Sequence, residues 1–322
     1  MDIVVASASS YPRPEWFRKY LKRVEGLQKD LDARIDPFTL KKAQLEVLEN
    51  QEKCGVDVLT EGMLIWHDFL ATVTLRAGFK PDGLARYFEN NLYYRVPVLE
   101  SLGELRRPHL NDFRLATEVW KKNRELKAVT SCLTAFYLSK CRTDEKKAFR
   151  LFLDLFFDEL SEIFKITKTV QLDEPVLAEN YKCNLKQWML DSFLEALECF
   201  NARGKLWIST YFSGLDETAF SSLIDLCDVM FLDFVEGSEV NLRNLKEYGC
   251  KEICAGIADG RNTRMESLEE LERKTLEILE VCSLKRLYVS TNTGLEFLPE
   301  VKAYEKMNLL SKFSRFFKIS GF

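Results

Sequence analysis

Eight short apolar runs punctuate the chain. Each closes in small or polar residues and gives way to a stretch whose apolar positions recur at the roughly 3.6-residue spacing of a helix. In order they are IVVASASS (3–10), VDVLTEG (56–62), KAVTSCLTAF (127–136), TVQLDEP (169–175), KLWISTYF (205–212), VMFLDFVEG (229–237), EICAGIADGR (252–261) and RLYVSTNTGL (286–295). LKQWMLDSFLEALECF and SLEELERKTLEILEVC are two of the amphipathic stretches between them. Strands covered by helices are buried on both faces and therefore read as continuous apolar runs without alternation. Strand and helix alternating eight times predict an α/β chain folded as a single (β/α)8 TIM barrel over 1–322. A doubly wound open sheet is the alternative, disfavoured because no G-x-G-x-x-G turn follows the first run.

Two connections exceed what a barrel needs. Residues 11–55 carry a basic helical segment after strand one, RPEWFRKYLKRVEGLQKD, and a second helix ending near Cys54. Residues 63–126 form a long excursion between strands two and three that contains FENNLYYRVPVL, whose Tyr93, Tyr94 and Pro97 are expected to pack on the barrel rim. Functional groups of such barrels lie at the C-terminal ends of the strands. Position alone therefore selects Ser9, Ser10, Glu61, Asp173, Glu174, Ser209, Tyr211, Asp233, Glu236, Asp259, Arg261, Asn292 and Thr293.

Composition narrows the classes. With 46 Lys and Arg against 50 Asp and Glu, the chain has a net charge of −4 and lacks the basic excess of a nucleic-acid binder. No apolar run approaches the ~18–20 residues of a membrane span. MDIVVASASSYPRP lacks a basic n-region and reads as a first strand, so a cytoplasmic protein without a membrane partner is expected. The nine cysteines include no C-x-x-C pair, which favours ordinary reduced thiols. Cys250 and Cys254 are four apart in a strand pattern, a spacing that suits ligands on a helix.

TVQLDEPVL, LWISTYFSGL, GIADGRN and YVSTNTGL resemble, in order and spacing, the cobalamin-independent methionine synthase family, and GVDVLTEGMLIWHDFL and FENNLYYRVPVL are similar to it too. The resemblance spans nearly the whole chain. It implies one of two related barrels. In the catalytic barrel, zinc held by an H-x-C pair, a Glu and a Cys activates homocysteine for methylation by a methyltetrahydrofolate polyglutamate. Here those positions carry Ser209, Tyr211, Asp233 and Thr293, and neither His67 nor His109 falls on them. One carboxylate cannot supply the three or four donors that zinc needs. STYFSG, DFVEG, GIADGRN and the opening SYPRPEWFRKYLKRVE instead resemble the zinc-free N-terminal barrel, which helps to hold the folate tail.

The resemblance therefore implies no metal or cofactor on this chain, a methyl-pterin ligand, and a separately encoded partner barrel that carries zinc. Arg13, Arg18, Lys19 and Lys22 become candidates for the tail's carboxylates, with Arg18 and Lys22 one helical turn apart, against the plainer reading of a solvated charged face. Asp173 matches a residue that holds the substrate ammonium in the catalytic barrel. Its second carboxylate is replaced by Met63, and Glu61 substitutes only if the register differs. Adjacent strand residues point to opposite sides, so only one of Asp173 and Glu174 can face the mouth. Ser10 matches a carboxylate-cradling strand end. Asp259, Arg261 and Asn262 either contact a ligand or partner or form an Asp–Arg pair around a turn allowed by Gly260. An oxygen-rich cation site from Asp173, Asp233, Glu236 and Asp259 is a further option. The alternative functions are a stand-alone zinc-free methyltransferase, a binder of a methyl-pterin or corrinoid protein, and a regulatory or structural relic of the fold.

Overall fold

The computed structural model describes residues 2–25, 35–66, 72–88 and 92–319. Its strands in chain order are β1 (Asp2–Val5), β2 (Val58–Thr60), β3 (Lys80–Arg86), β4 (Tyr93–Leu99), β5 (Glu125–Thr130), β6 (Lys140–Cys141), β7 (Thr169–Asp173), β8 (Lys205–Ser209), β9 (Val229–Asp233), β10 (Ile253–Ala258) and β11 (Arg286–Thr291). Eight of them, β1, β2, β5 and β7 to β11, form one parallel sheet in chain order, with β11 returning to β1. Ala6 bridges Val58, and Ser7 N donates to Val58 O at 2.9 Å, which brings β1 to β2 and closes the barrel. Each of the eight apolar runs overlaps one of these strands, with β1 and β5 starting one and two residues before theirs.

The third run departs from expectation. Its strand ends at Thr130, and Leu133–Tyr137 is a short helix where a continuous strand was expected. The Glu174 carboxylate from the end of β7 captures the amides of Cys132, Leu133 and Thr134, which a strand would have spent on its ladder.

Inside the barrel, Ala6, Ala8, Val58, Trp207, Val229, Phe231, Cys254 and Tyr288 form one cluster. The larger apolar layer lies between sheet and helices. The basic segment is a helix over Glu15–Glu25 that buries Phe17 and Leu21. The helix Pro37–Lys53 starts at Asp36, whose carboxylate accepts from Thr39 N at 2.8 Å, and has Pro37 in its first turn, where no amide is missed. Among the described residues, no helix is long and apolar enough to cross a membrane.

The excursion holds an antiparallel hairpin, β3 with β4, to which β6 adds in parallel. Tyr94 is buried and donates its hydroxyl to Leu138 O at 3.0 Å, and Pro97 is also buried. Tyr93, expected beside them, is 65% exposed, because neighbouring residues of a strand face opposite ways. Buried Glu159, on the helix Glu145–Ile163, accepts from Leu110 N at 2.8 Å and from Arg114 at 2.5 Å, and lies 3.4 Å from both Arg107 and His109. This network anchors the excursion to the helical layer. His67 and residues 89–91 lie outside the described residues.

Candidate functional site

β7 delivers two carboxylates with opposite fates. Glu174 turns to the start of the helix Leu133–Tyr137 and accepts three amides at 2.6, 3.1 and 2.6 Å. Burial pushes its carboxyl up to about 7, and these donors oppose that rise. Asp173 ends β7, at the C-terminal rim of the barrel, and is buried. Its Oδ1 accepts from Gln171 Nε2 at 2.6 Å, whereas its buried Oδ2 has no partner. Burial pushes Asp173 up to about 7, the Gln171 bond and the charge of Lys127 hold it down, and Glu174 and Glu296 raise it.

Around this carboxylate stand Tyr211, from the end of β8, and Tyr87, from the hairpin. Both hydroxyls are buried and without a well-formed hydrogen bond, and both are raised far above the usual tyrosine range by burial, with Asp173 adding to the rise. The hairpin reaches the mouth through its aromatic residues. The Tyr87 ring meets Phe212 edge-on at 6.1 Å, and Phe88 packs against Tyr181 at 4.7 Å. Met63, Phe88 and Phe212 have φ values of 52°, 42° and 74°, left-handed conformations that are costly for such side chains. Thus strained backbone and unsatisfied polar atoms collect at the same end of the barrel.

Beside the mouth lies a cleft of about 460 Å³ lined by Ser10, Arg13, Arg18, Met63, Trp66 and Glu296, among others. Ser10 Oγ donates to the Glu296 carboxylate, which is raised by its withdrawal from water. The four expected tail-binding cations do not form one face. Arg13 donates to the carbonyls of Leu64 at 2.6 Å and Trp66 at 3.0 Å, so it fixes the turn after β2 while lining the cleft. Arg18 lines the same cleft. Lys19 pairs with Glu15 at 2.6 Å on the exposed side of the helix, and Lys22 is exposed in its last turn. Glu15 and Glu300 also border the cleft, so its charge is mixed.

The end of β9 is built differently. Asp233 Oδ1 accepts from Val235 N and Glu236 N at 2.8 and 2.9 Å, and Oδ2 accepts from Phe212 N and Asn292 Nδ2, both at 3.1 Å. Burial raises its carboxyl against these four donors. Thr293 Oγ1 donates to Gly294 O at 3.2 Å, and Ser209 is buried. A hydroxyl, a phenol, a second hydroxyl and a carboxylate already committed to four donors do not fit zinc. The oxygen-rich cation site does not assemble either. Besides the saturated Asp233, Glu236 pairs with Arg261 at 2.8 Å, and Asp259 Oδ1 accepts Arg261 N at 2.8 Å. Among the described residues, no group of three or more His, Cys, Asp or Glu side chains is placed to hold a metal ion.

Arg261 thus pairs with Glu236 across two strand ends and lies 4.9 Å over the Phe212 ring, in place of the expected Asp259–Arg261 side-chain pair. Gly260 is needed for space and not for a left-handed turn, since a Cβ there would sit 2.7 Å from Thr293 O. Asn262 accepts Arg264 N at 3.0 Å. Glu61 is buried, with an unpartnered Oε2, and is pushed up to about 8 by burial and by the nearby Asp112. Sequence reasoning passed over Glu296, Tyr87, Lys127 and Gln171. Lys127 was nonetheless visible as a lone cation inside an apolar run, and Glu296 follows the last quoted run by a single residue.

The family model for the cobalamin-independent synthase, N-terminal domain, matches residues 76–283. A methionine synthase from Saccharolobus solfataricus is 26% identical over 317 residues, covering 92% of this chain and 90% of that protein. One from Saccharolobus islandicus strain Y.G.57.14 is 28% identical with the same coverage. Among solved structures, a B12-independent methionine synthase from Shewanella sp. W3-18-1 in complex with selenomethionine superposes with a TM-score of 0.76 at 17% identity, covering 98% of both chains.

Proposed function

This chain belongs to the cobalamin-independent synthase family, matching its N-terminal domain, and from that premise we propose that it is the zinc-free barrel of a methionine-forming methyltransferase. In this reading it binds a 5-methyltetrahydrofolate polyglutamate, or a related methyl-pterin, at the barrel mouth. A separately encoded partner barrel carries the zinc and the homocysteine. One observation carries the reading. The position that most resembles a zinc ligand, Asp233, spends both carboxylate oxygens on the chain's own donors, while Asp173, at the end of β7, keeps a buried oxygen without a partner.

The chain's residues then divide the work. Asp173 accepts an N–H group of the ligand, which relieves the cost of an unpaired buried acceptor. Arg18, at the cleft beside the mouth, attracts a carboxylate of the tail, with Lys22 in the same helix as a second, weaker attraction. Ser10 holds Glu296 between cleft and mouth, and Arg261 holds the rim through Glu236 and Phe212. Fixing the donor in this way lowers the entropic part of the barrier to methyl transfer.

A second reading, a stand-alone zinc-free methyltransferase or a binder of a methyl-pterin or corrinoid protein, is favoured by one fact. Relatives named methionine synthase are covered to 90% of their length by this one-barrel chain, so they have one-barrel length as well. The assay is methyl transfer to homocysteine with added zinc, with and without a co-expressed barrel that bears the H-x-C, Glu and Cys set. Transfer only in the mixture supports the two-barrel reading, and transfer by the pure chain supports the second.

A further inference from the structure

Lys127 is a cation with no contact to water, inside the barrel. It lies on β5, is wholly buried, and sits 4.3 Å over the Trp207 ring and 5.8 Å from that of Phe231. An ammonium in such a place is tolerated only if its hydrogens are bound. Lys127 Nζ donates to Ser7 O at 2.9 Å, to Ala8 O at 3.4 Å and to Gln171 Oε1. All three donors are therefore used, so the lysine is not a nucleophile.

The consequence falls on Gln171. Lysine can only donate, so the amide atom that faces it must be the oxygen. That choice turns Gln171 Nε2 toward Ala8 O at 2.9 Å and Asp173 Oδ1 at 2.6 Å. Both hydrogens of the amide are thereby assigned, one of them to the aspartate. Lys127 also ties down the carbonyls just before Ser9 and Ser10, and Ser10 bonds Glu296. The one cation thus braces two strand ends of the mouth.

We infer that Lys127 is a positioning residue: through Gln171 it fixes one oxygen of Asp173, leaving the other, buried and without a partner, as the acceptor for a ligand N–H group. The inference rests on the ligand-binding reading of Asp173 given above. The charged and titratable groups that bear on Asp173 are Lys127 from the barrel interior, Glu174 beside it and Glu296, with Tyr87 and Tyr211 close by, while the neutral amide of Gln171 donates to it. Burial draws Lys127 down to about 8, against the attraction of Cys254, Asp173, Glu125 and Glu61. Asp173 must be ionised to accept and Lys127 charged to donate, so the relay works between about pH 7 and about pH 8.

The test is the titration of the Asp173 carboxyl, followed by 13C NMR on the full chain labelled at aspartate and assigned by loss of its signal in Asp173→Asn. Lys127→Met and Gln171→Met are each expected to raise the midpoint by about one pH unit or more. The double variant should fall short of the sum of the two, because the Gln171 bond depends on Lys127 while the lysine's charge also acts on Asp173 directly. Affinity for 5-methyltetrahydrofolate triglutamate should fall about tenfold in each, equivalent to about 1.4 kcal/mol. Should Lys127→Met fail to fold, Gln171→Met and Gln171→Glu carry the test, since neither removes the lysine. An unmoved Asp173 midpoint in natively folded variants overturns the relay, even if affinity falls. A moved midpoint in a chain whose wild type does not bind the pterin supports the relay and removes the pterin reading.

Discussion

Asp173 and Asp233 occupy the same place on two strands of one barrel, the last residue before the mouth, and both are buried. Asp233 accepts four hydrogen bonds from its surroundings and has nothing left to offer. Asp173 accepts one and leaves a buried oxygen bare. A carboxylate that is buried and saturated holds a loop together. One that is buried and half-satisfied costs free energy in the isolated protein, which a ligand can recover. The resemblance of both positions to a ligand-binding barrel could not distinguish them, because the difference lies in donors brought by other strands.

Substitutions widen or collapse this contrast. The largest effect is expected from Asp233→Ala, which strands the amides of Phe212, Val235 and Glu236 and the amide group of Asn292. Urea denaturation should show a loss of about 3–5 kcal/mol, in the range for breaking a buried charged network. Next comes Glu174→Gln, which keeps the shape but offers one acceptor oxygen to three amides. It should lose about 1–2 kcal/mol, with the helix Leu133–Tyr137 exchanging its amide hydrogens faster. Asp173→Asn retains an acceptor for Gln171 and should change stability by less than about 1 kcal/mol while weakening pterin binding about tenfold or more. A stability loss equal to that of Asp233→Ala would erase the distinction between the two sites. Lys19→Ala should matter least, under about 0.5 kcal/mol, because its pair with Glu15 is exposed.

The acids near the mouth also make the pH dependence of stability specific. Asp173 and Glu174 are pushed up to about 7, and Glu61 to about 8, by burial. The native state therefore holds protons that the unfolded chain has released. The stability from these groups is fully present below the unfolded values near 4 and is lost as pH rises through 7 to 8. Urea midpoints measured from pH 5 to 8.5 should fall, and the double variant Glu61→Gln, Asp173→Asn should flatten the decline. A ligand that donates to Asp173 should flatten it as well.

The barrel was legible because its strands are apolar without interruption and its helices keep their period. The hairpin was not, since KPDGLAR has neither an apolar run nor alternation and is almost wholly exposed as β3. It is a strand only because YYRVPVL lies against it. At the site, the rule of strand ends located Asp173, Asp233, Ser10 and Arg261. It could not show that Arg261 would choose Glu236 over Asp259, or that Arg13 would be occupied by the carbonyls of Leu64 and Trp66. Those outcomes depend on the relative heights of loops distant in sequence. Lys127 was readable as an anomaly, and its meaning needed Gln171 on the neighbouring strand.

The seam of the barrel has a consequence for how the molecule is made. β1 is hydrogen-bonded to β11, and the helix Glu300–Ile319 lies over both, with Ser314 donating to Ile3 O at 3.1 Å. β1 leaves the ribosome long before β11 and must wait for it before that flank is covered. During that interval it offers a bare β edge to other nascent chains. Slow codons ahead of β11 would lengthen the exposure, and the yield of soluble protein should respond to the pace of translation there more than in the middle of the gene.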